Sequence, residues 1–158
     1  MATLHYFYGW PGAGKTTAAR ALAASAPALL ICEDEWLATL LTAPITSLEG
    51  YVEAITRLRR VIGPLTTRAL TLGCSVVFDF GGNTVAHRAW VRELAVAAGA
   101  ACRLHVLDVP PEVCRQRIRE RNQARPAGLF YGEVDDALID AVVAHIAPPT
   151  PDELTDVP

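Results

Sequence analysis

The sequence is poor in lysine. Of its 14 basic residues, 13 are arginine and the single lysine is Lys15. Acidic residues are in excess, so the net charge is -3 and the pI is about 5.8. Such a chain lacks the overall basic field that drives non-specific binding to nucleic acid or to an anionic membrane. We therefore expect a small-molecule partner and no membrane; nucleic acid is the less favoured partner, with a local basic groove left open as an alternative.

The sequence also lacks the cysteine spacing of a zinc site or a disulfide framework. Its four cysteines form no C-x-x-C pair and lie in or beside apolar runs, where a thiol behaves as a small hydrophobe. Long apolar runs are missing too, since Arg20 and Pro27 interrupt the alanine-rich stretch 18–31. Neither a signal peptide nor a transmembrane helix is expected. We expect a cytoplasmic protein that is a monomer or a homodimer.

The apolar pattern predicts an α/β fold in a single domain spanning 1–158, because strand-like and helical runs alternate along 158 residues. Strands are predicted at 4–8, 28–32, 74–78 and 103–107, and helices at 16–25, 55–72, 84–98, 111–124 and 134–147. Pro64 is expected to kink or split the second helix. Gly99 is placed to end the third, and 154–157 could form a short edge strand.

The segment from Gly9 to Thr16 reads G-x-x-x-x-G-K-T, and it joins a predicted strand to a predicted helix. This is the Walker A phosphate cradle in its required context. We expect the backbone and side chains of seven residues to bind the nucleotide: Gly9, Gly12, Ala13, Gly14, Lys15, Thr16 and Thr17. Lys15 would neutralise charge on the transferred phosphoryl group, and the Thr16 hydroxyl would bind Mg²⁺. The motif predicts ATP with Mg²⁺, and the absence of an N-K-x-D motif argues against a GTPase.

Two groups of acidic residues follow predicted strands. Asp79 lies at the carboxyl end of a buried strand, where open α/β sheets place ligand chemistry, so we expect it to bind Mg²⁺ with Thr16. Its alternative role is a helix N-cap, for which Asn83 and Thr84 are better placed. The second group is Glu33, Asp34 and Glu35. One of these three is expected to be the general base.

Five arginines lie between residues 115 and 125. Arg115 and Arg117 are expected on a solvated helix face. Arg121 and Arg125 lie nearer the loop 126–132, and we expect the segment 121–132 to be a lid. A lid of this kind brings guanidinium groups to the phosphates as the transition state gathers charge.

Together these motifs resemble the small P-loop phosphotransferases of the AAA-type ATP-binding group, related to polynucleotide kinase, chloramphenicol phosphotransferase, gluconate kinase and zeta toxins. The residues that carry the likeness are the Walker A segment, Asp34, 77–81 with Arg88, 107–110 before the arginines, and 148–153. The resemblance implies a P-loop NTPase fold of kinase type, with a parallel sheet of order 2-3-1-4-5 and helices on both faces. It also implies ATP as donor, Asp34 as base, lid arginines near 121–125, and a tail from Pro148 near the adenine. Trp36 and Leu37 stand where polynucleotide kinases have Arg, which argues against nucleic-acid 5′-ends as substrate.

We therefore expect an ATP-dependent kinase that transfers the γ-phosphoryl group to a hydroxyl of a small molecule such as a nucleoside, a sugar or an antibiotic-like compound. Two alternatives stay open. One is a nucleotide-binding ATPase or switch without an acceptor, and the other is a zeta-type toxin kinase.

Overall fold

The computed structural model describes residues 1–42, 47–126 and 133–154. Helices and strands alternate as the sequence predicts. In chain order they are β1 Thr3–Tyr8, α1 Lys15–Ser25, β2 Ala28–Cys32, α2 Glu33–Leu40, α3 Leu48–Thr71, β3 Ser75–Gly81, α4 Val85–Ala98, β4 Ala101–Val106, α5 Pro111–Ala124, α6 Asp136–Val143 and the 3-10 turn Pro151–Glu153. Helix α2 was not predicted. Three acidic residues occupy its first turn, where negative charge stabilises a helix.

The four strands form one parallel sheet in the order β2-β3-β1-β4. This confirms the first four positions of the expected order 2-3-1-4-5. Within residues 1–42, 47–126 and 133–154 there is no fifth strand, because the chain after α6 is rich in proline and ends in a 3-10 turn. Most of the edge strand suggested at 154–157 lies outside the described residues.

Helices cover both faces of the sheet, because alternate residues of a strand point to opposite sides. On one side, Leu4, Tyr6, Val76 and Phe78 pack with the buried faces of α3 and α4. On the other side, Phe7 and Val77 pack against Ala19 of α1. No helix of the described residues is long and apolar enough to cross a membrane.

Helix α3 continues through Pro64. The predicted split is therefore wrong. Proline removes one hydrogen bond from a helix interior, but the residues on either side are held by packing. Leu58, Ile62 and Leu70 are buried against the sheet, whereas Pro64 is exposed.

The Arg88 side chain on α4 is fully buried and binds the C-terminal tail. Its Nε and Nη2 atoms donate to the two carboxylate oxygens of Glu153 at 2.8 and 3.0 Å. Its Nη1 atom donates to the carbonyl oxygens of Ala147 at 2.8 Å and of Gly82 at 3.2 Å. A buried guanidinium charge destabilises the fold when its bidentate carboxylate partner is removed, because the charge is then uncompensated. The tail is thereby tied to the start of α4.

Glu153→Gln should lower the free energy of unfolding by about 3 kcal/mol, because it leaves the Arg88 charge buried and uncompensated. The Arg88 guanidinium lowers the pKa of Glu153 from 4.5 to about 2. A lowered folded-state pKa contributes stability that is complete above pH 4.5 and is lost as the pH falls toward 2. Chemical denaturation across this range should show that loss in the wild type and not in the variant. Glu93→Gln, an exposed change on α4, should leave both stability and its pH dependence unaltered.

Candidate active site

The Walker A segment forms a loop between β1 and α1. At two positions of this loop the backbone conformation requires glycine. Gly12 and Gly14 have φ angles of 82° and 98°, in the left-handed region. Helix α5 also packs closely on the loop, since a Cβ atom at Gly12 would lie 2.4 Å from the carbonyl oxygen of Cys114. The loop conformation therefore depends on its glycines both for backbone geometry and for space.

The first turn of α1 is open to an anion. Gly14, which has no side chain, is its N-cap and makes no side-chain cap hydrogen bond, and the first turn contains no acidic residue. The backbone N–H groups of this turn and the helix dipole favour a bound phosphate. Thr16 and Thr17 lie in this turn, with Thr17 exposed. The seven predicted nucleotide-binding residues thus surround one helix N-terminus.

The Lys15 ammonium folds back over the loop. Its Nζ atom donates to the carbonyl oxygens of Gly9 at 2.6 Å and Trp10 at 2.9 Å. Burial lowers the pKa of Lys15 to about 8, and the negative charge of Asp79 opposes this. Bound phosphate oxygens would offer the ammonium a charged partner in the same place.

Thr16 and Asp79 are brought together as predicted, since Thr16 Oγ1 donates to Asp79 Oδ1 at 3.1 Å. Burial raises the pKa of Asp79, and hydrogen bonds from Cys32 and Thr16 oppose this. A hydroxyl and a carboxylate fit Mg²⁺, which is usually held by one or two protein oxygens together with water and substrate phosphates. The described residues contain no group of three or more His, Cys, Asp or Glu side chains that could hold a metal. The Thr16 hydroxyl and the Asp79 carboxylate therefore fit a Mg²⁺ ion that nucleotide phosphates would also hold.

Asn83 contacts the phosphate loop directly. Its Oδ1 atom accepts from the Gly9 N–H at 3.1 Å, and its Nδ2 atom donates to the Gly9 carbonyl at 3.0 Å. The N-cap of α4 is Thr84, which accepts from His87 N. Sequence reasoning considered Asn83 only as a cap. The signal for this contact was an amide residue two positions after the end of β3, a strand that pairs with β1.

The three acidic residues after β2 have separate surroundings. Glu33 is buried, with Tyr51 Oη donating to its Oε1 atom at 3.3 Å. Glu35 pairs with Arg20 on α1. Loss of water around its carboxyl and the charge of Asp79 raise the pKa of Asp34, and the charges of Arg121 and Lys15 oppose this. Of the three carboxylates, that of Asp34 therefore lies within electrostatic reach of the lysine, the acid and the arginine of the site.

The arginines of α5 do not all lie on a solvated face. Arg115 bonds Asp136 at 3.1 Å and also Asp140, so it joins α5 to α6. Arg117 Nη1 lies 3.5 Å from the Ala13 carbonyl oxygen of the phosphate loop. Arg117 is exposed, as predicted, whereas Arg115 is half-buried by its contacts with α6.

The two predicted lid arginines lie at the end of α5. Arg121 is partly buried, and no described residue accepts a hydrogen bond from its buried Nε atom. Arg125 is exposed, adopts a left-handed φ of 43° and pairs with Glu133. The structure thus brings Arg121, and not Arg125, toward Asp34. The segment 127–132 of the expected lid lies outside the described residues.

Comparisons with known proteins agree with this arrangement. The chain is similar to a putative kinase from Chloroflexus aurantiacus, with a TM-score of 0.71 and 20% identity over 95% of this chain and 83% of the other. It is also similar to the Mycobacterium tuberculosis APS kinase CysC in complex with AMPPNP and APS, with a TM-score of 0.55 and 20% identity over 90% and 94% of the two chains.

A third similar structure is the Pnkp1/Rnl/Hen1 RNA repair complex, with a TM-score of 0.65 and 16% identity over 91% of this chain. This chain spans only 43% of the length of that one. No curated protein matches the sequence. At these identities the structural likeness establishes the fold alone.

A sequence-family model described as "AAA domain" matches residues 4–149, nearly the whole chain. That span begins in β1 and ends in the tail bound by Arg88, so it includes the phosphate loop, Asp34, Asp79 and the α5 arginines. The resemblance expected from the motifs is therefore confirmed. The chain belongs to the AAA domain family and has the P-loop fold of kinase type.

Proposed function

We propose that the protein is an ATP-dependent phosphotransferase that moves the γ-phosphoryl group to a hydroxyl of a small molecule. The observation that carries the proposal is the position of Asp34. Its carboxylate interacts electrostatically with Lys15, Asp79 and Arg121. A pure nucleotide switch needs the phosphate loop and Asp79 but has no use for a carboxylate there.

In the proposed reaction, the acceptor hydroxyl oxygen attacks the γ-phosphorus and the bond to the β-phosphate oxygen breaks, releasing ADP. Asp34 takes the proton of the attacking hydroxyl. The α1 N–H groups and Lys15 bind the phosphates, and Arg121 stabilises the charge of the transition state. Mg²⁺, held through Thr16 and Asp79, would neutralise phosphate charge. The structural similarity to the APS kinase in complex with AMPPNP and APS supports this assignment.

The lid role of 121–132 and the place of the tail near the adenine belong to the same proposal. Arg88 ties the tail to Gly82, and Asn83 next to it binds Gly9 of the phosphate loop. An adenine ring beside the loop would therefore lie within reach of a tail that is already held there.

Lys15→Ala should abolish measurable binding of Mg-ATP, because no other lysine exists to neutralise the phosphates. Isothermal calorimetry with Mg-ATP measures this directly. Arg60→Ala, an exposed charge change on α3, should bind like the wild type. Unchanged affinity in Lys15→Ala would contradict the nucleotide site itself.

Asp34→Asn should keep ATP affinity and lose transfer by about 10² to 10⁴-fold, the usual contribution of a general base. The assay is transfer from labelled ATP over a panel of nucleosides, sugars, aminoglycosides, phenicols and oligonucleotides, with hydrolysis followed in parallel. Glu35→Gln is the matched control, since Glu35 pairs with Arg20. A loss below about tenfold in Asp34→Asn would remove its role as base.

Arg121→Ala should reduce kcat by about 100-fold while changing ATP affinity far less, because its charge is needed chiefly in the transition state. Arg119→Ala is the control on the same helix, because its side chain is 62% exposed and bonds Asp136. Arg125→Ala tests whether lid closure also brings in Arg125. Equal small effects from all three variants would mean that these arginines serve only the helix surface.

A further inference from the structure

A second polar cluster lies beside the transfer site, between the carboxyl ends of β2 and β3 and helix α3. Glu33 and His87 are 7% and 5% exposed. Arg59 Nη2 lies 3.9 Å from Glu33 Oε2, and the Arg59 guanidinium carbon lies 5.3 Å from the centre of the Trp90 ring. The His87 ring lies 5.6 Å from that same ring. Burial has the largest influence on the pKa of Glu33 and of His87, and the charge of Arg59 lowers both, so both groups lie near its guanidinium.

Each of these three residues carries a buried polar atom that no described residue bonds. The atoms are Glu33 Oε2, Arg59 Nε and His87 Nε2. A buried polar atom without a partner costs about 1 to 3 kcal/mol, so most native proteins avoid it. Three such atoms close together, next to a candidate catalytic base, point to a polar partner that the described residues do not supply.

The cluster is adjacent to the atoms proposed for catalysis. Glu33 directly precedes Asp34 in the first turn of α2. His87 Nδ1 bonds the carbonyl oxygen of Gly81 at 2.8 Å, and a Cβ atom on Gly81 would lie 3.8 Å from Lys15 Cε. A molecule bound at the cluster would therefore lie close to both the base and the phosphate-binding lysine.

The hydrogen-bonding character of the three atoms follows from their surroundings. A carbonyl oxygen only accepts, so His87 Nδ1 carries the hydrogen and His87 Nε2 is left as an acceptor. Burial lowers the pKa of His87 to about 4, which keeps the ring neutral near pH 7. Arg59 Nε only donates. Burial raises the pKa of Glu33 to about 7, so its Oε2 atom accepts when ionised and donates when protonated.

Charged ligands match this set poorly. A phosphate or a carboxylate only accepts, so it would leave His87 Nε2 without a donor. An ammonium group only donates, so it would leave Arg59 Nε without an acceptor. A hydroxyl group both donates and accepts, and neighbouring hydroxyls would satisfy Arg59 and His87 together.

We propose that Glu33, Arg59 and His87 form the acceptor-binding pocket and select an uncharged, polyhydroxylated molecule of the sugar or polyol class. The inference rests on the proposed kinase function, because it names the acceptor of that reaction. It assigns the three residues to positioning and specificity, while proton transfer stays with Asp34.

The test is a transfer assay with labelled ATP in which pentoses, hexoses and alditols are each paired with phosphorylated, carboxylate and amino counterparts. The wild type should prefer a neutral acceptor by at least about tenfold in kcat/KM, the discrimination expected when a mismatched ligand leaves buried polar groups unpaired. Glu33→Gln, Arg59→Gln and His87→Gln should each raise the acceptor KM by about tenfold or more and leave the KM for ATP unchanged.

Arg57→Gln is the matched control, since Arg57 lies on the same helix with its side chain 75% exposed and pairs with Glu53. It should leave both KM values unchanged. Because Glu33→Gln preserves shape, it tests the pocket even where loss of Arg59 or His87 impairs folding. Unaltered acceptor KM in Glu33→Gln would overturn the pocket. Preference for a charged acceptor would overturn the inference and leave the kinase assignment standing, whereas Lys15-dependent hydrolysis without transfer to any acceptor would overturn both.

Discussion

The rest of the site depends on the hydrogen bonds that join the residues at the carboxyl ends of β1 and β3. Phe7 accepts a hydrogen bond from Gly82 N at 2.7 Å, and Gly9 is bonded on both its N–H and its carbonyl by Asn83. The phosphate loop therefore leaves the sheet from a point that β3 holds in place. Parallel pairing requires the two carboxyl ends to lie at the same edge. Because of this, Lys15 and Asp79, which are 64 residues apart in the chain, share one site.

The C-terminal tail is bonded to the same region of the fold. Arg88 bonds Glu153 on one side and the carbonyl of Gly82 on the other, and Ala147 N bonds the carbonyl of Asn83. Glu153 is 65 residues from Arg88, so an ion pair of high sequence separation connects the tail to the residues that support the phosphate loop. Stability of the tail and order in the nucleotide site are therefore physically coupled.

The sequence predicted what depends on local chemistry. Local sequence gives one dominant explanation for the glycines at positive φ, for a lysine and a threonine after a strand, and for Gly99 at the end of α4. The structure has a glycine-dependent loop before α1 and Gly99 as the C-cap of α4, in agreement with these predictions. It did not predict contacts that only tertiary packing creates. Nothing local shows that Asn83 turns back to Gly9, that Arg115 joins two helices, or that α3 continues through Pro64, because each depends on a partner far away in the chain.

Electrostatics explain why nucleotide and metal are expected to bind together. Burial raises the pKa of Asp34 and Asp79 and lowers that of Lys15, so the site already disfavours its own charges. Phosphate groups alone would favour the ammonium but repel the two carboxylates. Thr16 and Asp79 could hold a divalent cation, whose charge would offset that repulsion and favour the ionised form of the acids. An ionised Asp34 would be able to accept a proton, as the proposed transfer to a hydroxyl requires.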